Sequence, residues 1–300
     1  MVRIPGLGAL AGWVRYRERP AKIEEMTALD AQRVAAIERL TALDRDRVAK
    51  IEEMTALDAA RVAQICELNS RLSTLDGMSV ADRNLIFLDE PRFAAAWLES
   101  ARANSEGWPQ GVPDIRWRAH IALWAARHGL GLAGDFVECG VHTGLLSLVI
   151  CHALDFGALP RNFFLFDTFA GIPLAELGGE ELARATRSNE DYYRDVWDIA
   201  VRNFSPFANA CLVRGALPES LPKVSLDRIA YLSMDLNNAI AEKRTIEQLW
   251  DKVVPGAIVL LDDYAWAGHE AQYEMWNGFA QSVKAPIAVL PTGQGIMIKP

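Results

Sequence analysis

After Gly134 the chain reads as short apolar runs separated by stretches of helical pattern. Residues 135–139, 162–166, 211–213, 229–234 and 257–261 are five such runs, and 287–290 and 295–299 are two more. Near-continuous apolar strands alternating with helices predict a mostly parallel α/β sheet covered on both faces. Only a short turn around Thr292-Gly293-Gln294 joins the last two runs, so they are expected to pair antiparallel.

Upstream the pattern is different. Residues 22–31 return almost unchanged as residues 50–59, with a looser copy from Ala36, which gives a period of about 14 residues, or two heptads. No Pro or Gly occurs from Ala21 to Asp76, so one helix is predicted over 22–76 and Gly77 is expected to end it. Val34, Ile37, Val48, Ile51, Val62 and Ile65 line one of its faces, while Thr41, Asp44, Thr55 and Asp58 place polar layers in the same seam. A lone amphipathic helix has no core to cover its stripe, so self-association as a coiled coil is the favoured expectation. The alternative is a solvated charged spacer. The chain thus divides into an N-terminal segment (1–21), the repeat helix (22–76), a helical pre-domain (77–133) and the α/β domain (134–300). In the pre-domain, Glu90-Pro91 opens one helix and 114–128 forms another. Pro109, Gly111 and Pro113 mark the loop between them, and the tryptophans are expected to pack on the sheet or on a partner subunit.

Composition narrows the function classes. With 300 residues and 51% hydrophobic content the chain can bury a sizeable core. A net charge of -8 gives no basic surplus to drive binding to a phosphate backbone, so nucleic acid is not expected as a partner. The four cysteines form no Cys-x-x-Cys pair, which fits a reduced, cytoplasmic protein. The apolar stretch from Ile4 to Trp13 is short and preceded by Arg3 alone, a poor secretion signal, and no run approaches the roughly 20 apolar residues of a membrane span.

The chemistry gathers at the predicted strand ends, where ligands bind in such sheets. The first strand runs into Glu138-Cys139-Gly140-Val141-His142-Thr143-Gly144 and then an apolar helix, and its glycines let the backbone approach a ligand closely. The dinucleotide pattern Gly-x-Gly-x-x-Gly is missing, which argues against a nucleotide-sugar dehydrogenase. Asp167 closes the second strand, where a carboxylate can accept both hydroxyls of a ribose; the alternative is a turn residue before Thr168. Asp235 ends the fourth strand, and Asp262 and Asp263 the fifth. Three carboxylates at one edge repel each other unless a cation intervenes, and a hard divalent ion such as Mg2+ fits their oxygens. The alternative is that Asp262 and Asp263 cap the next helix or turn. His142 and His269 are candidate proton acceptors, or structural histidines.

Four segments in order carry a family resemblance: residues 134–141, 166–173, 213–222 and 254–264. Together they resemble the macrocin O-methyltransferase family, whose members methylate sugar hydroxyls of macrolides, related natural products and other glycoconjugates. The likeness covers about residues 115–300. It implies a Rossmann-like class I methyltransferase sheet and transfer of a methyl group from S-adenosylmethionine to a small-molecule or glycan acceptor with Mg2+ assistance. By matching motif, Glu138, Gly140, Val141, Thr143, Gly144, Asp167, Thr168, Gly215 and Asp235 would serve the cofactor, and Asp235, Asp262 and Asp263 the metal. Family members commonly carry Asp-x-Asp after the fourth strand, with the second Asp a proposed base. Here the triplet is Asp235-Leu236-Asn237, and Asn237 cannot take a proton. His269 or a metal-bound hydroxyl must then substitute, or the chain is a weak or inactive cofactor-binding module on a coiled-coil scaffold. In this class the insert over 174–207 covers the acceptor, so Tyr192, Tyr193 and Trp197 are expected to stack on a sugar or to sit in core.

Overall fold

The computed structural model describes the backbone of residues 7–70 and 72–300, and the side chains of residues 22–65, 76–78, 80 and 82–300. The start of segment 1–21, with Ile4, lies outside the described residues. The chain forms two compact units, Met1–Leu72 and Ser73–Pro300. The first is one helix, α1 (Leu7–Ser70). Val34, Ile37, Val48, Ile51, Val62 and Ile65 are each more than half exposed along it. Thr27, Thr41 and Thr55, one repeat apart, each return their hydroxyl to the carbonyl four residues earlier, at 2.7–2.8 Å. The threonine hydroxyls of the polar layers are therefore satisfied within their own helix.

The helix stops at Ser70, before Gly77. Strands β1 (Leu72–Leu75) and β2 (Met78–Ala81) form a hairpin instead, turning on Asp76 and Gly77 at φ 53° and 69°. Asp-Gly is the dipeptide that such a two-residue turn favours, because both positions need positive φ. The Asp76 carboxylate is buried and accepts from the backbone N–H groups of Trp117 (2.8 Å) and Arg118 (3.3 Å). It thereby caps α3 (Arg116–Gly129). Helix α2 (Pro91–Asn104) begins with proline in its first turn and with Glu90 accepting from Arg92 and Phe93.

The sheet contains β3 (Asp135–Cys139), β4 (Phe163–Asp167), β5 (Ala210–Arg214), β6 (Ile229–Met234), β7 (Val253–Leu261), β8 (Ile287–Val289) and β9 (Gly295–Ile298). Its order is β5-β4-β3-β6-β7-β9-β8. All pairings are parallel except those of β9, which runs antiparallel to both β7 and β8. Helices cover both faces: α4 (Leu145–Leu154), α5 (Gly179–Asp191), α6 (Trp197–Phe204), α7 (Ala239–Leu249) and α8 (Glu270–Val283) complete the unit. Alternate residues of β3 serve opposite faces. Val137 and Cys139 join Ile246 of α7 and Trp276 of α8, while Phe136 joins Ala122 of α3, Leu148 of α4 and Phe204 of α6. Of the two tryptophans in 114–128, Trp117 lies 4.4 Å from Phe87 between ring centroids, and Trp124 is exposed and stacks on His128.

Candidate functional site

Register fixes where the functional side chains meet. Cys139 pairs with Phe166 and with Met234, and Met234 pairs with Leu261. The carboxyl ends of β4, β3, β6 and β7 are therefore level, and a cleft of about 710 Å3 opens above them. Glu138, Gly140, Val141, His142, Asp167, Thr168, Gly215, Asp235, Asn237, Asp262, Asp263 and His269 all line it.

Gly140 has φ 91°, and a Cβ there would stand 1.8 Å from the Asp235 carbonyl oxygen. Only glycine lets β3 and β6 end this close together. Asp167 organises the loop that follows. Its Oδ2 accepts from the N–H groups of Val141 and His142 at 2.7 Å, and its Oδ1 from Phe169 N–H at 2.6 Å. The Thr168 hydroxyl is 3.3 Å from Oδ1 but donates more closely to the Gly171 carbonyl, at 2.6 Å. Asp167 thus acts as a turn residue, with both carboxylate oxygens engaged by the loops after β3 and β4. Thr143 and Gly144 depart from expectation, since neither lines the cleft. Thr143 is fully buried, with its hydroxyl on Asn104, and a Cβ at Gly144 would run into the Phe204 ring. These two residues pack the start of α4.

The acidic group is built around a cation that sequence reasoning missed. Arg118 Nη1 lies 2.6 Å from Asp262 Oδ2 and 3.9 Å from Asp263 Oδ1, and its Nε is 3.3 Å from Asp76. Gln294 donates to the other Asp262 oxygen at 2.9 Å, and Asn237 donates to Asp235 at 3.0 Å. Burial opposes the charge on Arg118, yet the carboxylates of Asp262, Asp263, Asp235 and Asp76 outweigh it and raise its pKa. Burial pushes Asp263 up to about 7, with repulsion from Asp262 adding to it. Burial also lifts Asp235 well above the ordinary carboxylate value, helped by Asp263 and Asp262. Arg118 and, less strongly, Arg184 bring positive charge to Asp263, and Arg118 brings it to Asp235. In the present arrangement, among the described residues, no group of three or more His, Cys, Asp or Glu side chains is placed to hold a metal ion. Arg118 occupies that space.

The histidines differ. His269 is buried with its Nδ1 2.7 Å from Gln272 Oε1, and Gln272 in turn donates to Glu242. That chain assigns the hydrogen to Nδ1 and leaves Nε2 as an acceptor. Burial, reinforced by Arg184, lowers the His269 pKa to about 4. Asp263 Oδ2 is 3.7 Å from the same Nδ1. His142, at φ 53°, presents its ring to Trp108 (4.9 Å) and Tyr193 (5.4 Å), and burial lowers its pKa. Asn237 takes positive φ, 55°, which asparagine tolerates, and offers no proton acceptor. Of the insert aromatics, Tyr192 and Tyr193 line the cleft, whereas Trp197 packs on Phe169 at 5.1 Å.

The sheet order, the single antiparallel strand β9 and the loop between β3 and α4 facing Asp167 define a class I methyltransferase. The family model for macrocin-O-methyltransferase (TylF) matches residues 122–292. This chain belongs to that family and is an O-methyltransferase that takes its methyl group from S-adenosylmethionine. Mycinamicin III 3''-O-methyltransferase of Micromonospora griseorubida is 24% identical to it over 214 residues, covering 63% of this chain and 82% of that one. The 8-demethyl-8-(2,3-dimethoxy-alpha-L-rhamnosyl)-tetracenomycin-C 4'-O-methyltransferase of Streptomyces olivaceus is 26% identical over 144 residues, 45% of this chain and 54% of that one. Among solved structures, the O-methyltransferase NovP shares the fold with a TM-score of 0.56 at 20% identity, over 71% of this chain and 98% of its own. No described helix is long and apolar enough to cross a membrane.

Proposed function

We propose that the chain methylates a hydroxyl of a sugar borne by a natural product or glycoconjugate, and that Asp235, Asp262 and Asp263 hold Mg2+ during the reaction. The observation that carries this reading is convergence: the Gly140 loop, Asp167, three strand-end carboxylates and two tyrosines line one cleft. The sugar class is suggested by the relatives' names, mycinamicin and the rhamnosyl tetracenomycin acceptor. When bound, Mg2+ would polarise the acceptor hydroxyl and ease loss of its proton.

The residues of the chain supply the rest. Asp167 and the Gly140 loop fix the cofactor, and Tyr192 and Tyr193 offer faces for a sugar ring. His269 stays neutral at pH 7, and its free Nε2 receives the acceptor proton. The imidazolium formed would be steadied by Asp263, 3.7 Å from Nδ1. Positioning the hydroxyl in line with the sulfonium methyl does most of the catalytic work. Free thiols at Cys139, Cys151 and Cys211 suit the reducing cytoplasm. The exposed repeat stripe of α1 supports self-association through that helix.

The test is turnover. Purified chain with S-adenosylmethionine and Mg2+ should convert members of a panel of glycosylated macrolides and nucleotide-activated sugars, releasing S-adenosylhomocysteine and an acceptor heavier by one methyl. Asn237 favours a second reading, a cofactor-binding module without turnover. Cofactor binding with no product from any sugar would decide for it.

A further inference from the structure

Glu242, in the first turn of α7, is a buried carboxyl group on which three N–H groups converge. Its Oε1 accepts from Leu236 N–H at 3.1 Å and from Gln272 Nε2 at 2.9 Å. Its Oε2 accepts from Trp276 Nε1 at 2.6 Å. Gln272 and Trp276 stand one turn apart on α8, the helix that His269 opens. Both are as buried as Glu242, and none of the three lines the cleft, whereas His269 does. Apolar side chains would pack two helices without the desolvation that such a cluster costs. What the polar cluster adds is direction.

That direction is read from the donors. Arg184 Nη2, from the insert helix α5, lies 3.3 Å from Gln272 Oε1 and 3.4 Å from the Asn237 carbonyl oxygen. A guanidinium only donates, so the Gln272 atom facing it is the oxygen and the amide nitrogen faces Glu242. His269 Nδ1, 2.7 Å from that same oxygen, then carries the ring hydrogen. Burial raises Glu242 to about 7 against the pull of its three N–H bonds. With two donors already on Oε1, a proton on this carboxyl goes to Oε2, so Gln272 is held the same way round in either charge state.

We infer that Glu242 and Gln272 are positioning residues for the methyl transfer: through Gln272 the carboxyl group keeps the His269 hydrogen on Nδ1 and Nε2 free, and through Leu236 N–H it anchors the loop that carries Asp235 and Asn237. One buried side chain thereby sets the proton acceptor and the strand-end acids relative to each other. Arg184 ties the insert helix to the same fixture. The inference rests on the reading proposed above, in which His269 takes the proton of the sugar hydroxyl.

Nitrogen NMR of the histidine rings in the full chain reads the tautomer without turnover, and steady-state kinetics read its effect. The His269 signals, assigned by their loss in His269→Gln, should show the hydrogen on Nδ1 in the parent. Gln272→Leu should populate the Nε2–H form and lower kcat about tenfold or more. The acceptor KM and the affinity for S-adenosylhomocysteine should stay within a small factor, which also shows that the variant is folded. Glu242→Leu should do the same, and Glu242→Gln the same to a smaller degree, so that a failure of the leucine variant to fold still leaves a reading. In the His269→Gln background none of these changes should lower kcat further, because they act through His269. A parent ring with its hydrogen on Nε2, an unmoved tautomer in Gln272→Leu, or losses that multiply with that of His269→Gln would each overturn the inference. Full kcat in His269→Gln removes the proton-acceptor reading and the catalytic part of the inference with it, whichever tautomer the spectrum shows.

Discussion

Arg118, in the first turn of α3, closes an ion pair of 2.6 Å with Asp262 at the end of β7, 144 residues away in sequence. Both side chains are largely withdrawn from water, 17% and 4% exposed. Removing one partner of such a pair strands the other charge. Arg118→Met should therefore lower the unfolding free energy by about 3 kcal/mol, read by urea denaturation. Added Mg2+ should recover part of that loss and stabilise the variant more than the parent, because a cation that binds only the folded state stabilises it by mass action. A variant as stable as the parent would show that the pair contributes nothing.

Burial raises the Glu138 pKa from 4.5 to about 8, against the pull of its Ser147 hydrogen bond. The sign follows from proton counting. Between about pH 4.5 and 8 the folded state holds a proton that the unfolded chain has released, so stability falls as pH rises through this window and levels off above it. Glu138→Gln keeps the shape and abolishes the titration. The difference in unfolding free energy between parent and variant, measured at a series of pH values, should move in favour of the variant across the window.

Much of the fold was legible because the sheet strands are continuous apolar runs: β6 at Ile229–Met234 matches its sequence expectation residue for residue, and every one of its positions is buried. The hairpin at 72–81 was missed because a long helical repeat runs up to it and its strands are only four residues each, although Asp76-Gly77 was its signal. At the site, motif spacing located Gly140, Asp167 and the three acids, since strand ends are set by local pattern. The same spacing drew in Thr143 and Gly144, whose packing against Asn104 and Phe204 comes from distant helices. Arg118, Gln294 and Trp108 carry no motif. Tertiary folding alone brings Arg118 and Trp108 to the cleft and Gln294 to Asp262, and no period or spacing encodes that.

In the proposed reaction His269 takes the proton that a second aspartate would accept where Asn237 stands. His269→Gln should reduce kcat by about 100-fold or more while leaving the acceptor KM within a small factor, as loss of a general base does. Asn237→Asp in that background should restore part of the rate, because it returns the Asp-x-Asp pattern to the loop after β6. In the parent background the same change should cost stability. It replaces the amide that donates to Asp235 at 3.0 Å with another negative charge beside carboxyls already pushed upward. If His269→Gln retains full kcat, the proton leaves by another route.

The repeat in α1 makes a prediction of its own. Val48 and Ile51 are 53% and 62% exposed, and the same pair of residue types recurs one repeat before and after, at Val34 and Ile37 and at Val62 and Ile65. A stripe that repeats every two heptads is covered when it meets a second copy in register. Introducing charge at its centre, Val48→Asp with Ile51→Asp in the full chain, should convert an assembly to monomer by light scattering. The catalytic unit should keep its thermal transition and its affinity for S-adenosylhomocysteine. An unchanged mass for the doubly substituted chain would remove α1 from the interface, and a parent chain already monomeric at micromolar concentration would leave the helix as a solvated spacer.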